Sequence, residues 1–62
     1  MSDRIMRRPE VERLTGLSRS TIYEWMTKGV FPEPVKLGPR LVGWRAEDID
    51  TWIKSRQVRN SN

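Results

Sequence analysis

The chain has 62 residues, with 12 lysines and arginines, 8 acidic residues, and neither cysteine nor histidine. A domain of about 60 residues buries only about 60% of the surface that its unfolded chain exposes. The missing residue types exclude disulfides, thiolate or imidazole catalysis and the usual zinc ligands, and we expect no pocket of about 300 Å³ or more. The composition therefore predicts a single domain that is not an enzyme, uses no metal or cofactor, and binds through its surface.

The charge balance favours an anionic partner. The net charge is +4 and the isoelectric point is about 10.4, which suits nucleic acid, an acidic membrane face or an acidic protein. No stretch approaches the roughly 20 apolar residues of a membrane span, and residues 1–8 lack the apolar region of a signal peptide. We therefore expect a cytoplasmic protein with no membrane partner.

The beginning of the chain predicts an extended piece followed by a helix. Residues 4–7 suit an extended conformation with Ile5 facing inward. Pro9 suits the first turn of a helix, where its missing N–H costs nothing. Val11 and Leu14 are three residues apart and are predicted to form the buried face of that helix.

A tight turn is predicted to join this helix to a second one. Gly16 ends the first helix because glycine adopts positive φ easily, and Leu17 is expected to fold back against it. Ser18 is a strong N-cap for the second helix, and Gly29 ends that helix. The apolar stripe of the second helix consists of Ile22, Trp25 and Met26. So short a connection predicts a helix-turn-helix.

The second half of the chain predicts a β-hairpin and a third helix. Residues 31–34 form an extended connector stiffened by proline. Strands over 35–37 and 41–45 flank a turn over 38–40, and a helix follows over 46–56. The apolar stripe of the third helix consists of Ile49, Trp52 and Ile53.

The resulting fold class is mainly α with a small β-hairpin: a winged helix-turn-helix with a two-stranded wing and a C-terminal helix. We expect one DNA-binding domain over residues 1–57 and a polar tail over 58–62. The three tryptophans fall in apolar registers, so we interpret Trp25, Trp44 and Trp52 as core residues rather than as platforms for stacking bases.

Three acids, Glu47, Asp48 and Asp50, lie near the start of the third helix. A metal or acid–base site is one interpretation, but a complement to the helix dipole is favoured. Because these acids repel DNA, we expect the third helix to lie away from it, where it could meet a basic partner or a second copy.

The exposed side of the second helix is predicted to contact DNA. That side carries Ser20, Tyr23, Glu24 and Thr27, with Arg19 on its flank. In a helix-turn-helix, the N-terminal residues of the second helix reach base edges in the major groove. Arg19 suits guanine or phosphate, Ser20 and Tyr23 suit bases or phosphates, and Thr21 suits a phosphate. A solvated helix face is the alternative.

The hairpin supplies the second predicted contact. Three cations and no acid occur in residues 35–45, and residues 18–45 carry +3 of the net charge. We expect Arg40 to enter the minor groove and Lys36 to contact phosphate; a solvated basic turn is the alternative. Arg7 and Arg8 suit either the nucleic acid backbone or solvent. The full predicted DNA-binding set is Ser18, Arg19, Ser20, Thr21, Tyr23, Thr27, Lys36, Arg40 and Arg45.

The sequence resembles the AlpA-type phage regulatory proteins. The resemblance lies in LTGLSRSTIY over residues 14–23, FPxPVKLGxR over 31–40, VxWR over 42–45 and IxxWI over 49–53. It covers about residues 5–54 and departs from the usual pattern at Pro9 and Pro39. The family is similar to phage excisionases and has a MerR-like winged-helix fold.

The resemblance implies a small bacterial, often prophage-encoded, DNA-binding protein associated with the nucleoid. Such proteins activate an integrase gene, act as excisionases that set the direction of recombination, or do both. It further implies cooperative copies on double-stranded DNA and integrase as a protein partner. The reading-helix positions of the family fall on Arg19, Ser20, Thr21 and Tyr23, and its wing positions on Lys36 and Arg40. The alternative is a protein-interaction module whose basic face docks on an acidic regulator or enzyme.

Overall fold

The computed structural model describes residues 4–56, so the predicted tail over 58–62 lies outside the described residues. The elements are β1 (Ile5–Met6), α1 (Arg8–Thr15), α2 (Arg19–Thr27), β2 (Val35–Gly38), β3 (Leu41–Arg45) and α3 (Ala46–Ser55). This order confirms the predicted helix-turn-helix with a β-hairpin wing. None of the helices in the described part of the chain is long and apolar enough to span a membrane.

The extended piece before α1 forms the third strand of a small antiparallel sheet, in the order β1-β3-β2. Met6 lies opposite Trp44, and Ile5 lies opposite Arg45. Side chains alternate between the two faces of a strand, so Met6 shares the core face with Trp44 and Ile5 takes the outer face. The expectation that Ile5 faces the core is therefore wrong, and Met6 takes that place.

On the outer face of the sheet, Ile5 covers the buried Gly43. A Cβ atom built on Gly43 would clash with Ile5 Cγ2, and it would lie 3.1 Å from the Met6 carbonyl oxygen and 3.3 Å from Leu37 Cδ1. Only glycine lets β1 and β3 approach this closely.

The core is small and is shared by all the layers of the fold. The buried residues are Met6, Val11, Ile22, Phe31, Trp44 and Ile49, and packed against them are Leu17, Trp25, Met26, Ala46 and Trp52. The predicted stripe on α2 is therefore confirmed. The three tryptophans also belong to the core or its margin, as expected.

Two residues assigned to apolar stripes lie outside the core. Leu14 is 52% exposed and Ile53 is 38% exposed. Each helix buries one side chain fully, and these are Val11, Ile22 and Ile49. A domain this small has much surface for its volume. Leu14 and Ile53, one turn after the buried Val11 and Ile49, therefore lie at the margin of the core. The prediction that Leu14 is buried is wrong.

The turn between α1 and α2 has the predicted chemistry. Gly16 has a φ of 75° and donates its N–H to the Glu12 carbonyl at 2.8 Å. The Leu17 N–H donates to Thr15 Oγ1 at 3.2 Å, and Ser18 Oγ accepts from the Thr21 N–H at 3.2 Å. Gly16 and Ser18 thus satisfy backbone groups at the two helix ends, and Leu17 bonds to the last side chain of α1.

Two indole N–H groups hold the segment that leads from α2 to the wing. Trp44 Nε1 donates to the Pro32 carbonyl at 2.9 Å, and Trp52 Nε1 donates to the Val30 carbonyl at 2.8 Å. Between these two bonds the Phe31 ring is buried, with its centroid 4.8 Å from that of Trp52. The segment is therefore tied to both β3 and α3.

An open groove of about 610 Å³ runs between residues 29–32 and α3, and we call it the α3 groove. The expectation that the fold has no pocket of this size is therefore wrong. The volume lies in a surface cleft between two elements rather than in an enclosed cavity, so it requires no space inside the core.

Candidate nucleic-acid interface

The outer side of α2 has the composition expected from its helical wheel. Arg19, Ser20, Tyr23, Glu24 and Thr27 are all exposed, whereas Ile22 on the opposite side is fully buried. The Glu24 carboxylate, which would repel DNA, lies 3.2 Å from Lys28 Nζ. The negative charge on this face is therefore partly compensated by a neighbouring cation.

Arg19 and Tyr23 form a pair on this surface. The guanidinium carbon of Arg19 lies 5.8 Å from the centroid of the Tyr23 ring, within the range of a cation–π contact. The spacing of four residues brings both side chains onto adjacent turns. The ring restricts the orientations of the guanidinium, which remains accessible at the N-terminal end of α2.

Ser18 and Thr21 have a structural task at the start of α2. Ser18 Oγ caps the helix through the Thr21 N–H and donates its own proton to Thr21 Oγ1 at 2.9 Å. Thr21 is half-buried. Ser18 has one hydroxyl proton, so donation to a phosphate or base would require this bond to break. A DNA contact by either residue remains a prediction.

Thr27 lies at the other end of α2, about 12 Å along the helix axis from Arg19. Its hydroxyl donates to the Tyr23 carbonyl at 3.1 Å. Phosphate oxygens only accept hydrogen bonds, so Thr27 could not donate to one while this bond is present. Its oxygen can still accept from a base amino group.

Arg8 of α1 has Tyr23 of α2 among its neighbours, although Arg8 is not one of the predicted DNA-binding residues. Its Nε donates to Glu12 Oε2 at 2.7 Å. This hydrogen bond is the largest influence raising the pKa of the Arg8 guanidinium above its ordinary value, and Tyr23 makes a smaller contribution. The spacing of Arg8 and Glu12 signals their ion pair in the sequence. The proximity to Tyr23 depends on how α1 and α2 cross, which the sequence pattern does not reveal.

The three cations of the hairpin are exposed but do not form one cluster. Arg40 lies in the turn, and Lys36 lies opposite Val42, on the same face of β3 as Trp44. Arg45 is on the other face by strand alternation and is about 17 Å along the strand from the turn. Lys36 therefore lies toward the tip with Arg40, whereas Arg45 is far from Arg40 and is separated from Lys36 by about 10 Å along the strand and by the two faces of the sheet.

The acids of the third helix occupy the positions expected from the sequence. Glu47 and Asp48 lie in the first turn of α3, where a negative charge complements the helix dipole. Asp50 lies one turn from Lys54, with 3.1 Å between Oδ2 and Nζ. Within residues 4–56, no group of three or more acidic side chains could hold a metal ion.

Two short helices joined by a tight turn, with a basic β-hairpin beside them, define a winged helix-turn-helix protein. The family model described as "Prophage CP4-57 regulatory protein (AlpA)" matches residues 4–57. The chain belongs to the AlpA family, as its motifs indicate, and this is a family of regulatory proteins rather than of enzymes.

The chain is similar in sequence to two proteins, one from a bacteriophage and one from a bacterium. The chain is 48% identical over 54 residues to the uncharacterized protein ORF88 of Enterobacteria phage P4. This match covers 87% of this chain and 61% of that protein. It is 39% identical over 59 residues to the DNA-binding transcriptional activator AlpA of Escherichia coli (strain K12). That match covers 86% of this chain and 84% of the activator. The chain thus spans about three fifths of the phage P4 protein and most of the activator.

Proposed function

We propose that the protein is a sequence-specific regulator that binds double-stranded DNA of a prophage or integrative element. The observation that carries this proposal is the exposed N-terminal part of α2, where the Arg19 guanidinium lies over the Tyr23 ring; the same chain carries a hairpin with a basic tip. The similarity to a DNA-binding transcriptional activator supports it.

In the proposed complex, α2 enters the major groove with its N-terminus foremost. Arg19 makes a two-pronged contact with guanine or a phosphate, and Ser20 and Tyr23 contact neighbouring bases or phosphates. The helix N-terminus adds free N–H groups and a partial positive charge, which favour a phosphate.

The wing supplies a separate contact. Arg40 enters the minor groove, whose negative potential attracts arginine, and Lys36 contacts a phosphate from the same end of the hairpin. Arg45 makes a weaker, peripheral contribution because it lies on the other face, far from the tip.

We further propose that the regulated process is integration. The protein would act as an excisionase, as a transcriptional activator of an integrase gene, or as both, with residues 1–57 as its single DNA-binding domain. Several copies would bind cooperatively, and integrase would be a protein partner. As a DNA-binding protein it would act in the cytoplasm at the nucleoid.

Footprinting on DNA that flanks the protein's own gene tests the proposal and gives the target. Anisotropy titrations then compare the footprinted duplex with a scrambled duplex of equal length over a range of salt concentrations. We expect the footprinted duplex to bind at least about 1,000-fold more tightly at physiological salt.

The absence of a footprint, or equal affinity for the two duplexes, would contradict sequence-specific binding. If DNA does not bind even at low salt while an acidic protein binds saturably, the basic face is a protein-interaction surface instead. A footprint at integrase attachment sites would support recombination, and one at a promoter would support transcriptional control.

A further inference from the structure

The α3 groove has a rigid aromatic floor. Trp52 is fixed through its indole N–H to the Val30 carbonyl, and its ring centroid lies 4.8 Å from that of Phe31 and 6.2 Å from that of Trp25. The opposite wall is also fixed, because the Val30 N–H donates to the Trp25 carbonyl at 2.9 Å. A ligand would therefore meet a preformed surface and would pay little to order it.

The rim of the groove offers an apolar contact at Val30. Both backbone groups of Val30 are hydrogen-bonded, yet the residue is 49% exposed. The backbone bonds hold the side chain in this exposed position. The rim can thus receive an aliphatic side chain against Val30 and the adjoining face of Trp52.

Carboxylates line the end of the groove at the start of α3. Glu10, Glu12, Glu24 and Asp50 each pair with a lysine or arginine. In contrast, Glu33, Glu47 and Asp48 make no ion pair within residues 4–56, and of these three Glu47 and Asp48 belong to the groove. Both are exposed and both line the groove, so this end of a basic protein carries a local negative charge that suits a cationic side chain.

The groove lies behind the proposed DNA-binding side of α2. Trp52 packs against Trp25, and Trp25 belongs to the apolar stripe of α2, opposite the exposed side that carries Ser20 and Tyr23. A ligand in the groove therefore leaves that side of α2 accessible. At the other end of the groove, the Arg56 guanidinium lies 4.6 Å from the Trp52 ring centroid, so a cation of the chain itself already packs on part of this ring.

We propose that the α3 groove binds a basic segment of a partner protein, with an aliphatic side chain against Val30 and Trp52 and a lysine or arginine facing Glu47 and Asp48. The choice of another protein over a second copy rests on the proposed function, because DNA would occupy the basic surface of each copy. The groove thus gives the protein a second binding surface, separate from its DNA-binding surface.

The test uses the full chain, labelled with ¹⁵N and free of DNA, and a nine-residue peptide of alternating leucine and lysine as the probe. We expect saturable shifts of the Trp52 indole and Val30 amide signals. Peptides that alternate serine with lysine or leucine with glutamate should bind about tenfold more weakly or not at all.

Matched variants separate the groove from general effects of charge and apolar surface. Glu47→Gln combined with Asp48→Asn should weaken peptide binding by about five- to tenfold, whereas Asp50→Asn, on the same helix, should change it less than about twofold. Val30→Ser should weaken it, and Leu14→Ser, at an exposed leucine on α1, should not. Spectra of the free variants verify that each is folded.

Four results would overturn the proposal: no saturable shift, shifts confined to other surfaces, an equal loss of binding in Asp50→Asn, or an equal loss in Leu14→Ser. Signal shifts that depend on protein concentration without peptide would assign the groove to a second copy instead. Because no DNA is present, none of these results bears on the DNA-binding proposal, which the footprint tests separately.

Discussion

At the scale of single residues, Arg19 is the side chain on which the proposed DNA contact depends most. It is exposed at the first position of α2 and lies over the Tyr23 ring. A cation–π contact of this kind restricts a long side chain without removing its hydrogen-bond donors. The pair therefore reduces the entropy that Arg19 would lose on binding a base or phosphate.

Replacement of Arg19 should weaken specific binding. We expect Arg19→Ala to cost about 1–3 kcal/mol, or about five- to 150-fold in affinity, and Arg19→Lys to recover only part of this because lysine lacks the two-pronged geometry. The measurement is an anisotropy titration on the footprinted duplex. Lys54→Ala removes the same charge from α3 and should bind like the parent; a parental affinity in Arg19→Ala would remove Arg19 from the interface.

Ser18 is predicted from the sequence as both a cap and a DNA contact, and the two roles can be separated. Ser18→Ala should lower the free energy of unfolding by about 1 kcal/mol, and Ser18→Gly by only a few tenths. Urea denaturation measures this difference.

The DNA affinity of the folded Ser18 variants decides the second role. If capping is the only task of Ser18, the Ala and Gly variants should bind the footprinted duplex as tightly as the parent at a temperature where both are folded. Loss of affinity in both, without a change in fold, would show that the hydroxyl also contacts DNA.

At the scale of elements, the close approach of β1 to β3 depends on Gly43. We expect Gly43→Ala to lower the free energy of unfolding by about 1–3 kcal/mol, because the new methyl group would displace Ile5 and the first strand. Gly38→Ala is the matched control in β2, since its Cβ would lie 3.6 Å from Leu41 Cβ, an ordinary contact. Thermal unfolding of the two variants makes the comparison, and equal stability would show that β1 does not need the glycine.

The sequence predicts the local elements well, because their signals are local. The Ser18 cap, the positive φ at Gly16, the Pro39–Arg40 turn and the dipole-matched acids of α3 all follow from short-range chemistry. The pairing of β1 with β3 is not local. It depends on residues about 40 positions apart, so the sequence indicates an extended piece without its partner.

The candidate site, like the fold, can be predicted from the sequence where its signals are local and cannot where it depends on how distant elements pack. Exposure of the α2 residues follows from a helical wheel, but the proximity of Arg8 to Tyr23 depends on the crossing of two helices. Lys36 and Arg45 lie on opposite faces because of the strand register. Counting the cations over residues 35–45 does not reveal this. Leu14 shows the corresponding limit for the core, since periodicity identifies a face but not the depth to which it is buried.

At the scale of the whole molecule, the cations of the proposed DNA-binding surface and the carboxylates of the α3 groove occupy different regions. The proposed DNA surface combines α2 and the tip of the wing, while Glu47 and Asp48 lie on α3 behind α2. This separation lets α3 keep its acids without opposing DNA at the reading helix. It also means that each proposed partner can be tested while the other surface is left intact.

Salt dependence should identify the phosphate contact of the wing. Each neutralised phosphate contributes a slope of about −0.9 to log affinity against log salt concentration. We expect Lys36→Ala to make the slope shallower by about this amount and to weaken the footprinted and scrambled duplexes alike, because a phosphate contact carries no sequence information. Lys54→Ala should leave the slope unchanged, and an unchanged slope in Lys36→Ala would exclude that contact.

In the proposed complex, the two indole hydrogen bonds at Val30 and Pro32 would set the distance between the two parts of the DNA site. They tie the segment that joins α2 to the wing to both β3 and α3, so we expect the spacing between α2 and the wing to change little when DNA binds. One inserted base pair lengthens the duplex by about 3.4 Å and rotates one half of the site relative to the other. A target with such an insertion between its major-groove and minor-groove parts should therefore be bound through one part only.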